Sequence, residues 1–223
     1  MEAGQAPFDQ VEAMATHYIQ AMQTIQPEGP YLIGGWCFGG VVAVEMAQQL
    51  LDQGHRVGFL GLLDSYARFE PADTCTNDIL LFVNLFKRDV PHLPEFHQTI
   101  AHLDEDEQLK RMVESARQAG ELSVDFSLDQ TKRMLAVFRG HIIAGSRYEP
   151  KPYLGKASFF QASEGDAAKR EDPTLGWGSI IQGNKELHWI PGDHTGMFVN
   201  PNVKILAEKL EDCIAQAMQS HTT

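Results

Sequence analysis

Apolar residues recur three and four apart near the start of the chain: Val11, Met14, Tyr18, Met22 and Ile25. That spacing is one stripe of an amphipathic helix, and Asp9 followed three residues later by Glu12 has the pattern of a capping box at its start. Pro27-Glu28-Gly29-Pro30 ends the helix. The period then changes. Tyr31 to Trp36 reads as an apolar strand, Val41 to Leu51 as a helix stopped by Gly54, and Arg56 to Leu63 as a second buried strand ending at Asp64-Ser65. Strand, helix, strand at this spacing predicts a βαβ unit of a parallel sheet, in which catalytic groups lie beyond the carboxyl ends of the strands.

From about Arg68 to Pro150 the strand signal vanishes. Helical patterns replace it near Asp78 to Lys87, Asp104 to Ala119 and Ser127 to Ser146, the last opening on a Ser127/Gln130 capping pair. Strands resume at Ala157 to Phe160 and Glu186 to Ile190. Asn200-Pro201 then introduces a final helix with Val203, Leu206, Leu210 and Ile214 on one side. The predicted class is α/β: a parallel sheet flanked by helices, built from residues 1–67 and 151–223, with a helical lid inserted at 68–150. Phe82, Phe86, Met134 and Phe138 in the insertion read more simply as its own core than as a substrate wall. No repeat, linker or low-complexity tract interrupts the pattern.

Composition narrows the function classes. With 43 % hydrophobic and 22 % charged residues over 223 positions, the chain is an ordinary globular sequence able to bury a sizeable core. A formal net charge of −12 argues against nucleic acid and anionic membrane as partners. No apolar run approaches the roughly 18 residues of a membrane span. The opening Met1-Glu2-Ala3-Gly4-Gln5 does not read as a signal peptide. Three widely spaced cysteines, Cys37, Cys75 and Cys213, form neither a disulfide framework nor a zinc knuckle and suit a reducing cytoplasm. His92, His97 and His102 recur every five residues, which matches no usual zinc spacing, so no metal is expected.

The chemistry concentrates at Gly34-Gly35-Trp36-Cys37-Phe38-Gly39-Gly40. Gly35, Cys37 and Gly39 fill the G-x-S-x-G pattern of a nucleophile elbow, with sulfur in place of oxygen. Such a turn strains the backbone of its central residue, and the flanking glycines let strand and helix approach. The nucleophile then sits at a helix N-terminus, where the dipole and the Phe38 N–H stabilise negative charge on sulfur and on an oxyanion. A thiolate needs a base, and the base an orienting acid. His194, in Pro191-Gly192-Asp193-His194 directly after the last strand, is the candidate base. For the acid, Asp64 at the end of the second strand competes with Asp166 or Glu164 in the loop after Phe159-Phe160; a simple turn cap is the plainer role for Asp64.

Together the run Pro27 to Gly40, Leu63-Asp64-Ser65 and Pro191-Gly192-Asp193-His194 closely resembles thioesterase domains of nonribosomal peptide and polyketide synthases. The segment from Glu12-Ala13-Met14-Ala15 onward also matches what precedes the elbow in that family. The resemblance implies an α/β-hydrolase-like fold and a Cys37–His194–Asp64 triad, with Asp64 preferred over Asp166. It implies transfer of an acyl or peptidyl chain from the phosphopantetheine thioester of a carrier protein, then release by hydrolysis or cyclisation. No cofactor of its own is implied, and an acyl or peptidyl carrier protein domain is the implied partner.

Two features depart from the family pattern. Cysteine replaces the usual serine, as in some cyclising members, so a stored acyl group stays an activated thioester. The family also normally has several strands before the elbow and a second oxyanion-hole donor among them. Here one predicted helix precedes Tyr31, and no residue stands out as that donor. The expectation is the carboxyl part of a longer synthase, or a sheet completed by a partner strand. The competing readings are a small cytosolic cysteine hydrolase of dienelactone-hydrolase type and a non-catalytic hydrolase-fold fragment that docks to a synthase.

Overall fold

The computed structural model describes residues 7–68, 98–118, 127–165 and 171–219. The helical pattern at Asp78 to Lys87, with Cys75, Phe82, Phe86, His92, His97 and Asp166, lies outside them. The described residues fall into two compact units, one holding 8–68, 144–165 and 171–219, the other residue 7, 98–118 and 127–143.

The first unit is a four-stranded parallel sheet of β1 (Tyr31–Trp36), β2 (Val57–Leu63), β3 (Ala157–Ala162) and β4 (Lys185–Ile190), ordered as in the chain. Period-2 alternation divides its apolar residues between two cores. Tyr31, Ile33, Leu60, Leu62 and Phe159 meet α1 (Val11–Gln23) and α2 (Phe38–Asp52) on one face. Phe59, Phe160, Ala162 and Ile190 meet Leu206 and Cys213 of the final helix on the other. Helices on both faces let parallel strands bury both of theirs.

α2 is buried nearly all round through Val41, Val42, Ala43, Val44, Ala47 and Leu50, which makes it the centre of the larger core. It ends where expected: Gly54 takes φ 80, and His55 N–H returns to the Leu50 carbonyl, a left-handed cap that glycine allows without strain. α1 departs from expectation in register. It starts at Val11 with Gln10 as an N-cap that makes no side-chain hydrogen bond, so Glu12 falls one position short of a box with Asp9. Its buried stripe is Val11, Met14, Ala15 and Ile19. Tyr18 is half exposed, and Ile25, beyond the helix end, is 88 % exposed.

The second unit contains α3 (Glu105–Gln118) and the first part of α4 (Leu128–Arg147), which lie between β2 and β3 in sequence. Ser127 and Gln130 form the predicted box: Ser127 N–H donates to Gln130 Oε1 at 2.6 Å and Gln130 N–H to Ser127 Oγ at 3.2 Å. Met134 and Phe138 pack with Ile100, Leu109, Met112 and Leu135, so they serve as core. Arg139–Glu105 and Lys132–Asp106 ion pairs, both 2.6 Å, tie α4 to α3.

At the elbow, only one of the two pattern glycines is sterically required. A Cβ at Gly35 would overlap the backbone of Gly39 and Gly40, whereas one at Gly39 meets nothing within 4 Å. Gly40 is the second tight position, against the Ser65 side chain. We expect Gly35→Ala to destabilise by more than about 2 kcal/mol, because backbone cannot yield to backbone. Gly39→Ala, in the first turn of α2, should be neutral or stabilising by up to about 1 kcal/mol. Urea unfolding of both variants checks the contrast.

Candidate active site

Consecutive parallel strands bring the ends of β1, β2, β3 and β4 to one edge of the sheet, and the three sequence-predicted residues meet there. Cys37 is the single residue between β1 and α2, with φ 54° and ψ −126°, a conformation that L-residues rarely adopt. Its N–H donates to the Leu63 carbonyl at 3.0 Å, carrying the β1–β2 ladder one rung past Trp36 and Leu63. The side chain is half-buried, and Phe38 N–H opens the helix immediately after it.

Asp64 follows β2 with φ 45°, a left-handed conformation that aspartate tolerates better than most residues. It is fully buried. Its N–H donates to the Phe160 carbonyl at 2.9 Å, and its Oδ1 accepts the Ala162 N–H at 3.0 Å. β3 thus helps hold the acid of β2. The following residue is anchored too, since the buried Trp177 donates its indole N–H to the Ser65 carbonyl at 3.0 Å.

His194 comes from the loop after β4. Gly192 turns the chain at φ 96, and Asp193 Oδ1 accepts the N–H groups of Thr195 and Gly196 at 3.1 and 2.6 Å. Those bonds, Gly196 foremost and against the effect of partial burial, hold the Asp193 carboxyl below its ordinary range. Asn202 at the start of the final helix ties the loop again by donating to the Gly196 carbonyl. The result points His194 Nδ1 at Asp64 Oδ2, 2.7 Å away. Cys37 lies close enough to the same ring to influence its protonation. Burial lowers the imidazole's affinity for a proton, but the Asp64 bond and charge, with the neighbouring Cys37 side chain, outweigh it. The net effect raises the His194 pKa from 6.5 to about 9.

Glu164, one of the two rivals weighed against Asp64, is exposed and joins the His194 loop through its backbone, its N–H donating to the Gly192 carbonyl. Two neighbours of His194 escaped the sequence reading. Asp193 builds the turn that delivers His194, and Trp36 lies against the imidazole, their ring centroids 4.7 Å apart. Asp193 was readable as an Asx turn; the Trp36 contact spans 158 residues and left no local signal. Away from this edge, Glu186, His188 and Cys213 bring three metal-binding donor atoms within 4.8 Å of one another. Each already has a protein partner: Cys213 Sγ lies 3.3 Å from His188 Nε2, and Glu186 pairs with Lys156 at 2.7 Å.

Comparison with known proteins places this site in context. The family model for the thioesterase domain matches residues 1–214. The chain belongs to the thioesterase domain family. Polyketide synthase PksR of Bacillus subtilis (strain 168) is 27 % identical over 158 residues, 66 % of this chain and 6 % of its own length. Aspulvinone E synthetase melA of Aspergillus terreus is 24 % identical over 228 residues, 96 % of this chain and 24 % of its own. Among solved structures, a four-domain nonribosomal peptide synthetase crystallised with AMP and glycine superposes with a TM-score of 0.79 at 26 % identity. That match covers 95 % of this chain and 16 % of the synthetase. The chain therefore spans less than a quarter of each of these relatives, and it corresponds to a domain of multidomain synthases.

The ion pair predicts a pH dependence. Because the folded His194 pKa of about 9 lies above 6.5, the pair stabilises the fold fully below pH 6.5 and loses that contribution as pH rises through 9. The stability gap between the protein and Asp64→Asn should narrow over that window. NMR titration of the ring should give a midpoint near 9, moving down in Asp64→Asn.

Proposed function

We propose that this domain takes an acyl or peptidyl chain from the phosphopantetheine thioester of a carrier protein onto Cys37 and releases it by cyclisation or hydrolysis, within a peptide or polyketide assembly system. The observation that carries the reading is the meeting of three residues at one sheet edge: His194 Nδ1 lies 2.7 Å from Asp64 Oδ2, and Cys37 holds the tight turn between β1 and α2 beside the same ring. Family membership supports the reaction class.

In this mechanism Asp64 fixes the imidazole with Nδ1–H toward itself, so that Nε2 receives the proton of the Cys37 thiol. The raised proton affinity of His194 suits the ring to take that proton and hold it during attack. The thiolate adds to the donor carbonyl, and the Phe38 N–H at the N-terminus of α2 stabilises the oxyanion. The imidazolium then protonates the departing pantetheine sulfur. Exchange of one thioester for another is nearly balanced, so the acyl-enzyme remains activated for water or for an internal nucleophile. The helices of the second unit would act as the lid that selects between them, and the carrier domain is the docking partner.

Intact-mass analysis after incubation with an acyl-pantetheine thioester tests the first step. The adduct should form on Cys37, disappear in Cys37→Ala and persist in Cys213→Ala; an adduct that survives Cys37→Ala would overturn the assignment. Asp64→Asn should slow acylation by roughly 10²-fold or more, since it favours the wrong ring tautomer.

A second prediction concerns sulfur against oxygen. Cys37→Ser forms an ester that lies downhill of the donor and has a poorer leaving group. With a carrier-bound chain bearing an internal nucleophile, the serine variant should accumulate acyl-enzyme or shift product toward free acid, while the cysteine protein cyclises. Product analysis giving only free acid from both, in equal proportion, would leave plain hydrolysis as the reaction.

A further inference from the structure

Trp36 is the last residue of β1 and the direct neighbour of the elbow cysteine. Alternation along the strand turns Tyr31 and Ile33 into the core beneath α1 and α2 and sends Trp36 to the opposite face, where it remains 37 % exposed. There it touches the base loop at three points. Its ring stacks on the His194 imidazole, with centroids 4.7 Å apart and planes 30° from parallel. Its indole N–H donates to the His194 carbonyl at 3.2 Å. Its other contact is an edge-on meeting with Phe198, 5.2 Å between centroids, and Phe198 itself packs on the core beneath the final helix.

These contacts supply what the Asp64 bond lacks. A single hydrogen bond at Nδ1 fixes one point of the ring and leaves it free to rock about that point. A stacked plane removes the rocking and keeps Nε2 toward Cys37. The indole face is also electron-rich, and a cation within about 6 Å of it is stabilised, tryptophan providing the strongest such field among side chains. A leucine would serve equally well as half-exposed packing; it could neither stack, nor donate to the His194 carbonyl, nor favour the charged ring.

We propose that Trp36 is a positioning residue of the site: its indole holds the His194 ring in plane and favours the imidazolium that partners the Cys37 thiolate. The inference rests on the thioesterase reading for its importance to turnover, but the ring and the thiol can be examined without any acyl donor. The charged and titratable groups around His194 are Asp64 at Nδ1, Cys37 on the far side and Asp193 beside it in the chain, the last held by the Thr195 and Gly196 N–H groups. Substitution of Trp36 leaves all three in place.

The test compares the unsubstituted protein with Trp36→Phe and Trp36→Leu. Two quantities are followed from pH 5 to 10: the NMR titration of the His194 ring and the rate of Cys37 alkylation by iodoacetamide. The ring pKa should fall in the order Trp, Phe, Leu, by about half a unit to one unit at the end of the series. Alkylation at pH 7 should slow by roughly threefold to tenfold in the same order, the phenyl ring rescuing part of the loss. A ring pKa and alkylation profile unchanged in Trp36→Leu would overturn the positioning role, even with acyl transfer to Cys37 intact. Conversely, the expected series in a protein that never acylates Cys37 would uphold the positioning role and remove the thioesterase reading. Should Trp36→Leu fail to fold, Trp36→Tyr and Trp36→Phe decide, because both carry a weaker ring field and no indole N–H. Equality of both with tryptophan would overturn the inference.

Discussion

The site depends on how closely β1 and α2 approach each other at the elbow. With no Cβ at Gly35, the strand's last turn can lie directly against the backbone of Gly39 and Gly40, and the connection shortens to the one residue Cys37. That residue has little choice of conformation. Its N–H closes the ladder to Leu63, its φ becomes positive, and its side chain emerges at the sheet edge rather than into either core. Because all four strands are parallel, the same edge carries the ends of β2, β3 and β4, and through them Asp64 and the loop of His194. The steric condition at one glycine thus sets the geometry of three distant residues.

Electrostatics then determine how those residues share a proton. A fully buried carboxylate such as Asp64 is costly unless its oxygens are occupied, and here one accepts a backbone N–H of β3 while the other meets the imidazole. Burial weakens the competition from water, so the Asp64 charge acts on His194 with little screening. Desolvation of the ring itself works in the opposite direction. The balance favours the protonated ring, held between the Asp64 carboxylate and the loop that delivers it.

Much of this was legible in the sequence because it is local. Periods of two and 3.6 placed the four strands and the principal described helices to within a few residues, and Ser127 with Gln130 marked a helix start by a reciprocal bond that spans three positions. Where the signal depended on register it failed. Asp9 and Glu12 have the letters of a cap, but the burial of Val11 starts the helix one residue too late for them. Periodicity also ran on past the end of α1 to Ile25, which faces solvent. The elbow pattern marked Gly39 as essential, although the tight approach falls on Gly35 and Gly40. The stacking of Trp36 on His194 was beyond reach, because it joins elements that meet only after the whole sheet has formed.

Cys37 and Asp64 both hold positive φ angles, and with Leu175 they are the only non-glycine residues among those described that do. A side chain in such a region typically costs on the order of 1–3 kcal/mol, which glycine would relieve. Glycine at either position would relieve the backbone but remove the side chain, and at Asp64 the bonds to Ala162 and His194 with it. A thiol and a carboxylate thus stand at two of the three positive-φ non-glycine positions of the described backbone, each at a conformational cost that glycine would not carry.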